Sequence, residues 1–132
     1  MNAIEFIGYT LKNTSAVTNI VSSTSIVHGL RPSSSAGNVI RSINILKISG
    51  NRFGVKQLTA SINCRGETDV ISEQIQSVVM DTLVGSDGLG KYASVTAFSA
   101  YRIALVKEHN TIPETEGTVT IYNSPVDISI VY

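Results

Sequence analysis

Two histidines, a single cysteine and a close pair of glutamates are the residues of this chain whose types could carry catalysis, and their spacing argues against it. His28 and His109 are far apart, and neither sits in an HExxH or GxSxG context. Cys64 is the only cysteine, so the chain can form no internal disulfide and no cysteine-based zinc site; it reads as a small core residue of a strand. Glu114 and Glu116 flank Thr115 next to Pro113, where paired carboxylates are more simply read as solvated loop residues. Glu67 and Asp69 have a structural use at the start of a helix. Gly85, Gly88 and Gly90 superficially suggest a phosphate cradle, but they follow a helix and precede a strand, the reverse of the order that aims a helix N-terminus at phosphate. No catalytic residue, metal site or cofactor is expected.

Charge is the more informative chemistry. The chain of 132 residues has a formal net charge of zero, yet its halves differ in sign. Residues 6–66 hold seven basic side chains (Lys12, Arg31, Arg41, Lys47, Arg52, Lys56 and Arg65) and no acidic one. Residues 67–132 hold nine acidic side chains against three basic ones. Such halves either pair within the molecule or let the basic surface of one copy meet the acidic surface of the next, a head-to-tail contact that closes into a ring or runs on as a filament. Arg31, Arg41, Arg52 and Lys56 on one side and Glu108, Glu114 and Glu116 on the other are the candidate subunit-contact residues, and charge reversal at Glu114 and Glu116 is expected to impair assembly without unfolding the protein. The near-neutral balance and the lack of an aromatic stacking motif argue against sequence-specific DNA binding.

The elements that would carry these residues follow from periodicity. Ile4, Ile7 and Leu11 at helical spacing behind Asn2 predict a first helix over 2–12, and Ala16, Val17, Ile20 and Val21 a second short one. A short strand is expected over 26–31 and a mobile loop over 32–38. A hairpin then joins residues 42–48 to 55–65 through Ser49-Gly50-Asn51, with Leu58, Ala60, Ile62 and Cys64 on its inner face. Thr68 caps the strongest helix, Asp69 to Leu83, with Gly85 as its left-handed stop. A long alternating strand over 92–107 and a last strand over 117–132 complete the set. The inward positions of that last strand slip by one around Asn123-Ser124-Pro125, which predicts a β-bulge and an edge open to another chain. At this length, with 42% hydrophobic residues, the chain is expected to form one domain over 1–132 with a sizeable core. Its class is α+β, a mostly antiparallel sheet with helices on one face. No apolar run approaches a membrane span and the N-terminus lacks the basic start of a signal peptide, so a soluble protein made in the cytoplasm is expected.

Taken together, this layout resembles the tail-completion and tail-terminator proteins of long-tailed bacteriophages. The resemblance runs over nearly the whole chain. It rests on the N-terminal helix, the Leu30-Arg31-Pro32 loop, the Ser61-Ile62-Asn63-Cys64-Arg65-Gly66 strand, the helix ending before Gly85, and the closing stretch from Ile121 through Val126-Asp127 to Tyr132. It implies a virion structural protein of the tail or neck, made in a bacterial host, that forms a hexameric ring on the tail tube and meets the head connector. DNA would pass through the ring, close to basic loops but read without sequence preference. Two other classes stay open: another neck or tail-tube component, or a small binding module using the loops at 31–41 and 108–117. A small enzyme, resting on His28 or His109, ranks last.

Overall fold

The computed structural model describes residues 2–29, 33–34, 37–38, 40–51, 54, 56–85, 91–95, 98–116 and 118–132; of residues 33–34, 37–38, 91–95, 98–101 and 116 it describes the backbone alone. The chain opens with helix α1 (Ala3–Lys12), whose Asn2 side chain accepts from the Glu5 N–H while Glu5 accepts from the Asn2 N–H, a reciprocal capping box. A short helix α2 (Ser15–Thr18) and a 3₁₀ turn (Ser23–Ser25) lead into strand β1 (Ile26–His28). Gly29, at φ 72°, ends that strand.

The loop expected over 32–38 contains a two-residue ladder of β2 (Ser33–Ser34) with β3 (Gly37–Asn38). Strands β4 (Ser42–Asn51) and β5 (Gln57–Gly66) form the expected hairpin, but its turn lies beyond Asn51 rather than at Ser49-Gly50-Asn51. A register shift between Lys47 and Ser49 absorbs one residue, so pairing runs on to Asn51 opposite Gln57. Helix α3 (Asp69–Leu83) has the predicted bounds: Thr68 Oγ1 accepts from the Ile71 N–H, and Gly85, at φ 101°, donates to Met80 O.

Two expectations for the second half are corrected. The single strand over 92–107 is a hairpin of β6 (Lys91–Val95) and β7 (Phe98–Glu108), with Val95 opposite Phe98. The last strand is two strands, β9 (Val119–Asn123), paired with β8 (Ile112–Glu116), and β10 (Val126–Val131). The switch of inward positions at Ser124-Pro125 is therefore a change of strand and of neighbours, not a bulge. Nor is the C-terminal strand an edge: β10 lies between β5 and β7 in a sheet ordered β1-β4-β5-β10-β7-β6, with β8 and β9 attached at the end of β5. Pairing is antiparallel except for β1 with β4. Among the described strands of the main sheet the open edges are β1, the part of β4 past Ile45 that β1 does not reach, β6 and β8, and Pro113, which has no N–H to donate, sits on β8.

The fold class is α+β as expected. The inner face of the sheet (Ile43, Ile45, Ala60, Ile62, Cys64, Ile103, Val126, Ile128 and Ile130) packs against Phe6, Ile7 and Leu11 of α1 and Ile75, Val79 and Leu83 of α3. Each such aliphatic side chain contributes about 1.5–3 kcal/mol on burial. Close approach is enforced at Gly66, where a Cβ would lie 2.6 Å from Ile71 Cγ2; the start of α3 thus rests directly on the end of β5.

Candidate assembly surfaces

Strand direction sorts the charges. β5 runs from Gln57 at one end of the sheet to Gly66 at the other, about 30 Å at roughly 3.3 Å per residue. The register puts Asn51, Val131 and Arg102 at the Gln57 end, and Ser42, Val126, Glu108 and the β8–β9 ribbon toward the Gly66 end.

Two basic residues of the first half are neutralised at the Gly66 end. Arg41 grips Glu67 through Nε, 3.0 and 2.9 Å from the two carboxylate oxygens, with Nη2 adding a second contact. The guanidinium hydrogen bond holds the Glu67 carboxyl below its ordinary range and raises Arg41. Arg65 donates from Nε to Glu114 Oε1 at 2.8 Å and from Nη1 to Asn44 Oδ1, tying the β8–β9 ribbon to the outer face of the sheet. Asn44, almost fully buried, in turn donates to Gly29 O. Two candidate contact residues, Arg41 and Glu114, are thus partnered within the chain. Arg31 and Arg52 lie outside the described residues, and Glu116 is described only as backbone of β8.

Lys56 and Glu108 are exposed; Lys56 precedes the Gln57 end, and Glu108, opposite Val126 and so level with Ile62, stands about 20 Å along the sheet from it. Each has a companion that the sequence reading did not single out. Lys47 approaches the Lys56 end: a Cβ on Gly50 would lie 3.3 Å from its Nζ, and Tyr132 N–H donates to Lys56 O at 3.0 Å. Glu73, on the exposed side of α3, lines with Glu108 and Thr111 a cleft of about 380 Å³. Its only sequence signal was a second carboxylate one turn after Asp69, which reads equally as helix-dipole complementarity. None of Lys47, Lys56, Glu73 and Glu108 forms an ion pair among the described residues.

The floor of that cleft is a hydrogen-bonded weld. Gln76 Nε2 donates to His109 O and Pro125 O, Ser124 Oγ bonds Ser72 Oγ at 2.9 Å and Thr111 Oγ1 at 2.7 Å, and Thr111 reaches Glu73 at 3.2 Å. His109 Nε2 meets Asp127 at 2.8 Å, and neither Ser124 nor Thr111 bonds to it, so these groups do not form a nucleophile–base relay. Cys64 is fully buried, which pushes its thiol far above the usual range. Among the described residues no cluster of three His, Cys, Asp or Glu side chains is placed to hold a metal, and no helix is long and apolar enough to cross a membrane.

Exposed apolar side chains accompany the charge at both ends. Ile48 is 55% exposed beside Lys47; at the other end Ile112 and Val119 of the ribbon are 51% and 49% exposed.

No protein-family model and no curated protein matches the chain. Among solved structures it is similar to a chain of the virion of a native gene transfer agent particle, with a TM-score of 0.62 over 99% of this chain and 98% of that one, at 12% sequence identity. That likeness is one of fold.

Proposed function

We propose that this protein is a virion structural component and, more specifically, the tail terminator of a long-tailed phage-like particle: a single non-catalytic domain that forms a hexameric ring on the head-proximal end of the tail tube and offers its other side to the head connector. The observation that carries this reading is the end-to-end agreement of the fold with a chain of a gene transfer agent virion. A match over both whole chains supports a shared building block more strongly than a shared motif would. The resemblance of the sequence to terminator proteins supports the same reading. The charged ends suit a protein that works by contact with copies of itself and with tube and neck proteins. DNA in the lumen would pass such a ring without being read. The alternative, another neck or tail-tube component, differs only in its level in the particle.

Cryo-electron microscopy of particles carrying the protein with a density-visible tag tests the proposal. A sixfold ring between tube and connector is the expected result. Density elsewhere in the neck or tube would move the assignment to another component, and absence from the particle would overturn it.

A further inference from the structure

We infer that copies of this chain meet end to end, with Lys47, Lys56 and Ile48 of one copy seated against Glu73, Glu108 and the exposed Ile112–Val119 face of the β8–β9 ribbon of the next. This rests on the reading that the protein assembles with itself.

Each surface sets exposed apolar side chains beside charge that forms no ion pair among the described residues, and the two signs are opposite. They cannot satisfy each other within one molecule. Lys56 lies six residues along β5 from the level of Glu108, about 20 Å, and Lys47, opposite Ala60, lies three strands, about 14 Å, across from it; both exceed the ~8 Å over which charges interact at physiological salt. Of the described arginines toward the acidic end, Arg41 is held by Glu67 and Arg65 by Glu114. Lys107 lies opposite Asp127 in register, on the outer face of the sheet, whereas Glu108 lies opposite the inward Val126. On the basic end, Glu5 turns back to cap its own helix. The cleft walled by Glu73 and Glu108 opens at the root of the ribbon, so a lysine from another copy can reach the carboxylates while aliphatic carbons cover Ile112.

The ribbon adds a reason for expecting cover there. Its backbone pairs with the main sheet at Arg65–Asn123 and Gly66–Tyr122, and Ile112, Pro113, Thr115, Val119 and Thr120 are all exposed. Ile121 and Asn123 are buried near the root, but a two-stranded ribbon with this much exposed surface beyond it is marginal alone and gains from an occupant. Because the contact joins different surfaces, it is heterologous: copies repeat by one rotation, which closes as a ring or continues as a filament.

The test uses the full chain and two variants, Lys47→Glu with Lys56→Glu and Glu73→Lys with Glu108→Lys. All four side chains are exposed, and Glu73→Gln, which keeps an acceptor for Thr111, serves as a milder control. Sedimentation at low salt should show the native chain associating and losing association as salt rises. Each variant alone should associate at least ~10-fold more weakly, since its contact now opposes like charges. An equimolar mixture of the two should recover association, because each supplies the charge the other lacks. A native chain that stays monomeric at every concentration, variants that associate like the native chain, or folded variants whose mixture fails to recover would each overturn the inference. Incorporation into particles separates the two levels. Variants that enter particles like the native chain would sink this contact and leave the virion reading standing; a native chain excluded from particles would do the reverse, with the mixing result still deciding the contact.

Discussion

The Arg65–Glu114 pair decides whether an acidic residue of the ribbon fastens the fold or is free for a neighbour. Its side chains are 12% and 35% exposed, between the fully solvated and fully buried cases. Exposed pairs are worth about 0.2–1 kcal/mol, whereas removing one partner of a buried pair costs about 3–5 kcal/mol. We therefore expect Glu114→Gln to lower the unfolding free energy by about 1–2 kcal/mol. Arg65→Met should cost more, about 2–4 kcal/mol, because it also strips the donor from Asn44 Oδ1, whose residue is only 4% exposed. The two changes together should show a coupling of about 1–2 kcal/mol. Urea unfolding of the four proteins, followed by circular dichroism at a concentration where each is monomeric, measures all three quantities, with unchanged slopes marking an unchanged native state. A coupling below about 0.3 kcal/mol, or equal losses for the two single changes, would refute the account. The outcome governs how an assembly defect at Glu114 is read: reversal to lysine sets two cations side by side at the root of the ribbon, so lost assembly there would first report a loosened ribbon.

Three further outcomes follow from the structure. The Glu67 carboxyl should titrate below its ordinary value of 4.5, and Arg41→Ala should return it there, as read by carbon-detected NMR; since its folded value is the lower one, the pair's contribution is present above that range and is lost as pH falls through it. At this exposure it is worth less than ~1 kcal/mol. Gly66→Ala should lower stability by about 1–3 kcal/mol in thermal unfolding, because the new methyl meets Ile71 Cγ2 at 2.6 Å and the Ser72 backbone nitrogen at 3.0 Å; a neutral change would mean that α3 can ride up from β5. Cys64 should resist a thiol reagent in the folded protein and react fully in denaturant, and rapid native labelling would contradict its burial.

Local signals were legible and pairings were not. Thr68 and Gly85 bracket α3 as the sequence indicated, and strict alternation from Leu58 to Cys64 identified the inner face of β5, because caps and side-chain parity depend on neighbours in sequence. The β6–β7 hairpin was missed because Thr96-Ala97, between the two strands, carries none of the glycine, asparagine or proline chemistry that punctuates a run. The position of β10 was missed for a different reason. Parity says which face a residue occupies and nothing about which strands flank it, so a shift of parity at Pro125 looked like a bulge at an edge when it marked entry into the middle of the sheet.

The same limit applies to charge. A sequence shows which signs dominate each half, but Arg41 meets Glu67 across 26 positions and Arg65 meets Glu114 across 49, and only the fold makes those pairs. Of the contact residues chosen by sign alone, two fasten the molecule internally. What an assembling surface can use is the charge left after such pairing. The antiparallel hairpin of β4 and β5 sets Lys56 before the Gln57 end and Lys47, opposite Ala60, reaching toward Gly50, while α3 and the end of β7 bring Glu73 and Glu108 together on the Gly66 side. Such a separation of residual charge in a chain with no net charge is a property of topology, and on the proposed end-to-end contact it would set the direction in which the next copy adds.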